Sequence, residues 1–296
     1  MLRDLLDSIL EQDHGPIFVS CDLSENSIHI EKFLSDLRKE SFIKDFRIAP
    51  IHEGLKHAVK NGIDWFFEQN ESGWIFEDDL IVFQNTLKFA EGALEYCRNN
   101  ENIHSVNLYN TIQSKNDDEK NWRISLLSSS HGWGTTRHNW MSFSKNYCGI
   151  NNADLLRVYA KKFGYVAGLA EISRIKVSSQ KSWCVHWHSH ILIKKGIVLQ
   201  SNRALIGNRG NDKSSTHKRQ RLPFLETREK QIGLLPEIDD TDFEVLGESN
   251  ESLKKDKKRI EIEFGNDLPH LMYRMLKIFI LMCTRRVEKV RTTNDK

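Results

Sequence analysis

The sequence predicts an α/β fold built on a mostly parallel sheet, and three observations lead there. Short apolar, β-branched runs alternate with longer segments whose apolar residues recur at helical spacing, the pattern of βαβ crossovers. The chain has 296 residues, 39% of them hydrophobic, including 15 Phe and 7 Trp, which is ample to bury a core in one large domain or one domain with appendages. Finally, "GWIFEDDLIVF" (Gly73 to Phe83) breaks an apolar run with three consecutive carboxylates. Parallel α/β sheets bind their ligands at such strand ends.

Taken in order, Met1 to Leu10 reads as a helix, and "PIFVSC" (Pro16 to Cys21) as a buried strand followed by the polar loop "DLSENS". A helix follows, with Ile28, Ile30, Phe33, Leu34 and Leu37 on one face, and "FRIAP" is a second short strand. Leu55, Ala58, Val59, Ile63 and Phe66 mark the next helix, Gly73 to Phe76 a strand, and Leu87, Ala90, Leu94 and Cys97 another helix. "IHSVNLYN" (Ile103 to Asn110) is a further strand, whereas the Ser- and Gly-rich "SSSHGWGTTRHNW" reads as a structured loop entering a helix. Helices are expected over Asn152 to Phe163, Ala167 to Ile175 and "SWCVHWHSHILIKKG", with "IVLQSNRALI" alternating like a strand. Residues 1–220 should form the sheet domain. Residues 221–266, with the charge blocks "EIDDTD" and "KKDKKR", should wrap the surface or be partly mobile, and 267–296 should form a basic amphipathic helix with Pro269 in its first turn.

Composition narrows the function. A net charge of +2 is too small for bulk nucleic-acid binding. The five cysteines (Cys21, Cys97, Cys148, Cys184, Cys283) are scattered and form no CxxC pair, which favours a reducing compartment over a disulfide framework or a cysteine zinc site. The N-terminus lacks the uninterrupted apolar core of a signal peptide, and no apolar run reaches the roughly 20 residues that span a bilayer. A cytoplasmic protein, soluble or peripheral on the inner face of the cytoplasmic membrane, is the expectation.

Glu77, Asp78 and Asp79 admit two readings from the residues alone. A carboxylate cluster at a strand end suits a hard divalent cation, Mn²⁺ or Mg²⁺, that bridges to phosphate oxygens and relieves the repulsion. Alternatively one acid caps the following helix and the others are solvated. The histidines His186, His188 and His190 do not make a metal site on a helix, because His188 leaves the face shared by the other two. They read instead as a polar face lining an acceptor cleft.

Four segments carry a family resemblance: "PIFVSCDLSEN", "GIDWFFEQNESGWIFEDDLIVF", "HGWGTTRHNW" with "SWCVHW", and "LIGNRGNDKSSTH". In this order they resemble glycosyltransferases of the GT-A (Rossmann-like) fold, in particular the N-acetylglucosaminyltransferase I-like enzymes and related bacterial surface-polysaccharide transferases. The resemblance covers about Pro16 to His217. It implies a nucleoside-diphosphate sugar donor and a glycan or lipid-linked glycan acceptor in lipopolysaccharide, O-antigen or capsule assembly. It further implies Asp79 as metal ligand, Glu77 and Asp78 orienting the ribose and the metal's waters, and Asp22 meeting the base. His217 is a metal ligand or diphosphate contact by this resemblance, or a surface histidine in a polar loop. Trp133, between two glycines, is expected to stack on the ligand, while Trp140 belongs to the core. Arg137 pairs with the diphosphate or with a structural acid.

Two departures stand out. The family opens with a strand that Met1 to Leu10 does not supply, so a shortened or diverged member is expected. The family's general base is an Asp after the Trp of its Trp-Asp segment, but Cys184 follows Trp183 here. His186 is the nearest substitute, with Glu171 a second acid in the region; a thiol is a poor oxygen base. A non-catalytic sugar- or nucleotide-binding relative therefore stays open, and a sugar nucleotidyltransferase is a weaker rival because no Gly- and basic-rich phosphate loop lies near Pro16. The C-terminal "LMYRMLKIFILMC" with Arg285, Arg286, Lys289 and Arg291 suits either an anionic membrane surface or packing on the domain.

Overall fold

The computed structural model describes residues 1–110, 121–147, 149, 151–178, 182–208, 245–246, 250–260, 269, 271–273 and 275–276. Helix α1 (Leu2–Leu10) precedes β1 (Phe18–Cys21), α2 (Ser27–Lys39), β2 (Asp45–Ile48), α3 (Leu55–Gln69), β3 (Ser72–Ile75), β4 (Leu80–Val82), α4 (Thr86–Asn99) and β5 (Ile103–Asn107). The second half holds β6 (Trp122–Ser125), β7 (Trp133–Thr136), α5 (Arg137–Ser144), α6 (Asn152–Phe163), α7 (Tyr165–Ser178), α8 (Cys184–Ile193), β8 (Ile197–Ser201), β9 (Ile206–Asn208), β10 (Val245–Leu246) and α9 (Asn250–Arg259).

The sheet is mixed, which corrects the mostly parallel expectation. Six strands lie in the order β10-β6-β8-β5-β7-β3. Only β10–β6 and β5–β8 are parallel; β6–β8, β5–β7 and β3–β7 are antiparallel. The difference comes from two four-residue strands, β7 inside the segment that reads as loop and β6 just before it. Both run opposite to β8, β5 and β3, β6 along the outer side of β8 and β7 inserted between β5 and β3. Strands β1 and β2 pair in parallel beside this sheet, and β4 pairs antiparallel with β9.

Alternation across the pleat gives the sheet two apolar faces. Trp74 and Leu199 point to one face, where Ala90, Ala93 and Cys97 of α4 and Leu5 and Ile9 of α1 close the core. Ile75 and Val198 point to the other, covered by Ile63 and Phe67 of α3, Trp140 and Phe143 of α5, and Trp187 and Ile191 of α8. Leu6 of α1 also packs on Val19 of β1 and Leu34 of α2, tying the small β1–β2 pair to the rest. Cys21, Cys97 and Cys184 are free thiols. Among the described residues no helix is long and apolar enough to cross a membrane.

Of the segment 221–266, β10 and α9 are described; α9 exposes Lys254, Lys257 and Lys258 and buries Ser252, Asp256 and Arg259. Asp256 accepts hydrogen bonds from Arg123 (2.8 Å), Ser125 (2.8 Å) and the backbone N–H of Leu126 (2.8 Å). Arg259 donates to the Leu127 carbonyl (3.2 Å) and to Gln200 Oε1 (3.0 Å). All three charged side chains are buried. Buried charges need pairing or hydrogen bonds; Arg123 and Asp256 are ion-paired, and Arg259 is hydrogen-bonded to carbonyl and amide oxygens. The expected C-terminal helix lies mostly outside the described residues; 269, 271–273 and 275–276 are helical, with Met272, Tyr273, Met275 and Leu276 exposed.

Removing one partner strands the other charges without water. Asp256→Ala should therefore lower the unfolding free energy by about 3–5 kcal/mol. The exposed neighbour Lys257→Ala should stay within about 0.5 kcal/mol of the parent. Urea denaturation of the two variants distinguishes these outcomes, and equal losses would refute the assignment of Asp256.

Candidate functional site

Strands β3, β5 and β8 run the same way, so their carboxyl ends share one edge of the sheet with the start of β7. The acidic turn leaves β3 at this edge. The Glu77 carbonyl accepts from the Leu80 N–H (3.2 Å), turning the chain into β4, whose pairing with β9 brings Asn208 alongside. Glycine is required nearby. Gly132 has φ +54° and faces the Ile206 side chain, and a Cβ on Gly134 would lie 2.7 Å from the Trp74 ring.

Each carboxylate of the turn has a different environment. Burial, then the Asp79 charge, pushes the Glu77 carboxyl up to about 7; the indole N–H of Trp183 hydrogen-bonds it and acts in the opposite sense, favouring the ionised form. Burial, then the Asp78 charge, also raises Asp79, while a hydrogen bond from the Asn208 side chain lowers it. Asp79 Oδ1 is buried and has no hydrogen-bond partner. Asp78 is exposed. Its charge reaches β1, where burial first and Asp78 second raise the Cys21 thiol to about 11.

Asp22, at the end of β1, lies on the same side but is already engaged. It accepts from the backbone N–H groups of Leu23 (2.9 Å), Glu53 (2.8 Å) and Gly54 (2.9 Å), with His52 Nδ1 3.1 Å away. Burial alone would raise its pKa, but these donors and His52 together hold it below the ordinary carboxylate value. Asp22 thus clamps the loop that starts α3.

One expected ligand contact is corrected, and the open choice at Arg137 falls to an acid. Trp133 is 0% exposed, its ring covered by Trp183 (5.5 Å between centroids), Trp187 (5.4 Å) and Trp140 (6.1 Å), so it offers no face to a sugar. Its stacked partner Trp183 carries the donor to Glu77, so Trp133 positions that donor from beneath. Arg137 pairs with Glu71 (2.6 Å) and donates to the Asn70 carbonyl (3.1 Å). That is the amino end of β3, a strand length of roughly 13 Å from the acidic turn, so it takes the structural role.

The histidines of α8 do not line an open cleft. His186 is 4% exposed, with its ring 5.6 Å from Tyr147. His188 accepts at Nδ1 from the Ser128 N–H (3.4 Å), and its Nε2 lies 2.8 Å from the Tyr159 hydroxyl. Tyr159 in turn bonds Glu171, which is fully buried and held bidentately by Arg174. Glu171 is therefore a locked partner and not a free base. His190 stacks on Trp187 at 11°. Burial pushes His188 down to about 3 and His190 down to about 4.

Cys184 stands where the resemblance expects an acid. Its Sγ is 3.0 Å from Ser182 Oγ and it also bonds Ser130; burial, chiefly, raises its pKa and keeps it a neutral thiol. His217 lies outside the described residues. Sequence reasoning missed Asn208, although it opens the "NRGNDKSSTH" segment, and missed the Trp183–Glu77 bond. Among the described residues, no three His, Cys, Asp or Glu side chains form a cluster able to hold a metal ion. The unpartnered, buried Asp79 oxygen is the feature that suits a hard cation. Compared with protein-family models and with curated proteins, the chain matches none.

Trp183→Phe removes the donor that favours ionised Glu77. In metal-free protein the Glu77 pKa should rise above about 7 by roughly one pH unit; ¹³C titration of the carboxyl reads it, and an unchanged or lower value refutes the bond. The depressed histidines set acid stability. The unfolded chain takes up protons near pH 6.5 while folded His188 and His190 stay neutral until about 3 and about 4. Stability present above pH 6.5 should therefore fall as pH drops toward 4, by roughly 3 kcal/mol per histidine. Urea midpoints that stay flat across this range would contradict the burial.

Proposed function

We infer that the chain is a glycosyltransferase of the GT-A type that binds a nucleoside-diphosphate sugar with a divalent cation, Mn²⁺ or Mg²⁺, at Asp79. The observation that supports this reading is the convergence at the acidic turn of segments far apart in sequence: Trp183 on Glu77, Asn208 on Asp79, and the end of β1 beside Asp78. These are the segments on which the family resemblance rests. Asp79 would hold the cation through its unpartnered oxygen, with His217 a further candidate ligand. The cation would supply charge stabilisation to the departing nucleoside diphosphate. Glu77, titrating near neutrality, suits a hydrogen bond to a ribose hydroxyl in either protonation state. Asp78 is free to orient waters. Asp22 fixes the loop beside the base instead of presenting an unengaged carboxylate to it. The acceptor would be a hydroxyl of a glycan or lipid-linked glycan in cell-surface polysaccharide assembly.

A second reading has its own support in the three candidates for the missing base, Cys184, Glu171 and His186. Cys184 is a neutral thiol, Glu171 is locked by Arg174, and His186 is buried. A relative that binds the donor without transferring it would look the same.

Titration calorimetry with a panel of nucleoside diphosphates, with and without Mn²⁺, separates these cases. Binding should require the metal and weaken at least about tenfold in Asp79→Asn, the loss of one charged ligand contact. Metal-independent binding of equal strength would overturn the role of Asp79. Hydrolysis or transfer of the donor sugar marks the enzyme, and turnover unchanged in His186→Ala removes His186 as base. Binding with no turnover favours the non-catalytic reading.

A further inference from the structure

Helices α6 and α7 form a hairpin turned at Gly164, whose φ of +98° lets the chain reverse in one residue. The start of α7 exposes a cluster that a lone soluble helix would bury: Tyr165 (73%), Val166 (44%) and Leu169 (46%). Tyr165, Leu169, Ile172 and Lys176 follow helical spacing and share one side of α7. On α6, Arg157 and Lys161 are exposed one turn apart, leading into the hairpin tip. The apolar cluster is thus bracketed by cations. Acids are nearly absent from it. The one acid in α7, Glu171, lies buried on the opposite side against Arg174, and the one acid in α6, Asp154, pairs with Arg157 at 3.2 Å.

We propose that this hairpin face docks on an anionic lipid bilayer, with Tyr165, Val166 and Leu169 entering the headgroup region and Lys161 and Lys176 meeting lipid charges. An aromatic with a polar tip beside aliphatic residues is suited to the membrane–water boundary. Basic side chains within a Debye length of an anionic surface each strengthen attachment about fivefold. Charge selects the lipid over a second copy of the chain. A two-fold contact would set this cationic patch against its own copy, with no exposed acid on α7 to offset the charge. The surface is formed by residues separate from the acidic turn, so the inference stands whether or not that turn binds a nucleotide.

Flotation of the full chain with vesicles of phosphatidylcholine alone, or with about one third phosphatidylserine, tests it. Recovery should require the anionic lipid, fall with added salt, and drop about tenfold in Tyr165→Ser/Leu169→Ser. It should also drop in Lys161→Glu/Lys176→Glu, each variant retaining the parent's thermal melt. Equal recovery on neutral vesicles, or recovery unchanged in both variants, would overturn the proposal. So would light scattering that shows a dimer of the parent dispersed by Tyr165→Ser/Leu169→Ser.

Discussion

The position of Trp133 is the constraint on which much of this molecule depends. Strand β7 runs against both β3 and β5, which sets its first residue at the carboxyl edge of the sheet. A tryptophan there must be buried among Trp140, Trp183 and Trp187, and the glycines on either side let Trp74 and Ile206 approach closely enough to seal it. That aromatic stack fixes the start of α8, and with it the indole that reaches Glu77. A buried ring thus holds in place the donor that opposes burial and the Asp79 charge at Glu77.

A second layer of order is polar. Behind the loop that joins β6 to β7, Asp256 and Arg259 satisfy backbone groups of Leu126 and Leu127, while Asn107 bridges Leu127 and Gln200. Further along, His188, Tyr159, Glu171 and Arg174 form a continuous buried chain from Ser128 to α7. The loop in front of the candidate site is therefore held from behind by hydrogen bonds with strict directions, where apolar contacts would allow sliding. The network assigns neutral His188 its proton at Nε2, since Nδ1 accepts from Ser128.

Much of the fold was legible where local pattern and tertiary role agree. Helices α2, α3, α4 and α6 carry apolar residues at helical spacing, and β1, β3 and β5 are apolar runs bounded by polar turns, so periodicity locates them. Strands β6 and β7 were not legible. "WRIS" and "WGTT" lack an apolar, β-branched run between polar turns, and only their neighbours make them strands. The acidic turn drew attention because three adjacent carboxylates repel one another, although a helix cap with solvated neighbours explained them equally well. Trp133 was misread because flanking glycines suggest openness, whereas here they serve close packing. Arg137 stood between a diphosphate and a structural acid, and four residues of β7 carry it to the far edge of the sheet, beside Glu71. The buried role of Asp256 and Arg259 within "KKDKKR" was not legible because their partners lie 59 to 133 residues away.

The buried set around Asp256 also limits how this chain can drift. Arg123, Asp256 and Arg259 reach a neutral or apolar arrangement only by passing through a molecule with an orphaned interior charge, so single substitutions there are barred while concerted ones are not. Positions 123 and 256 are therefore bound to change together or not at all, although 133 residues separate them. The exposed lysines between them on α9 carry no such bond and are free to vary one by one.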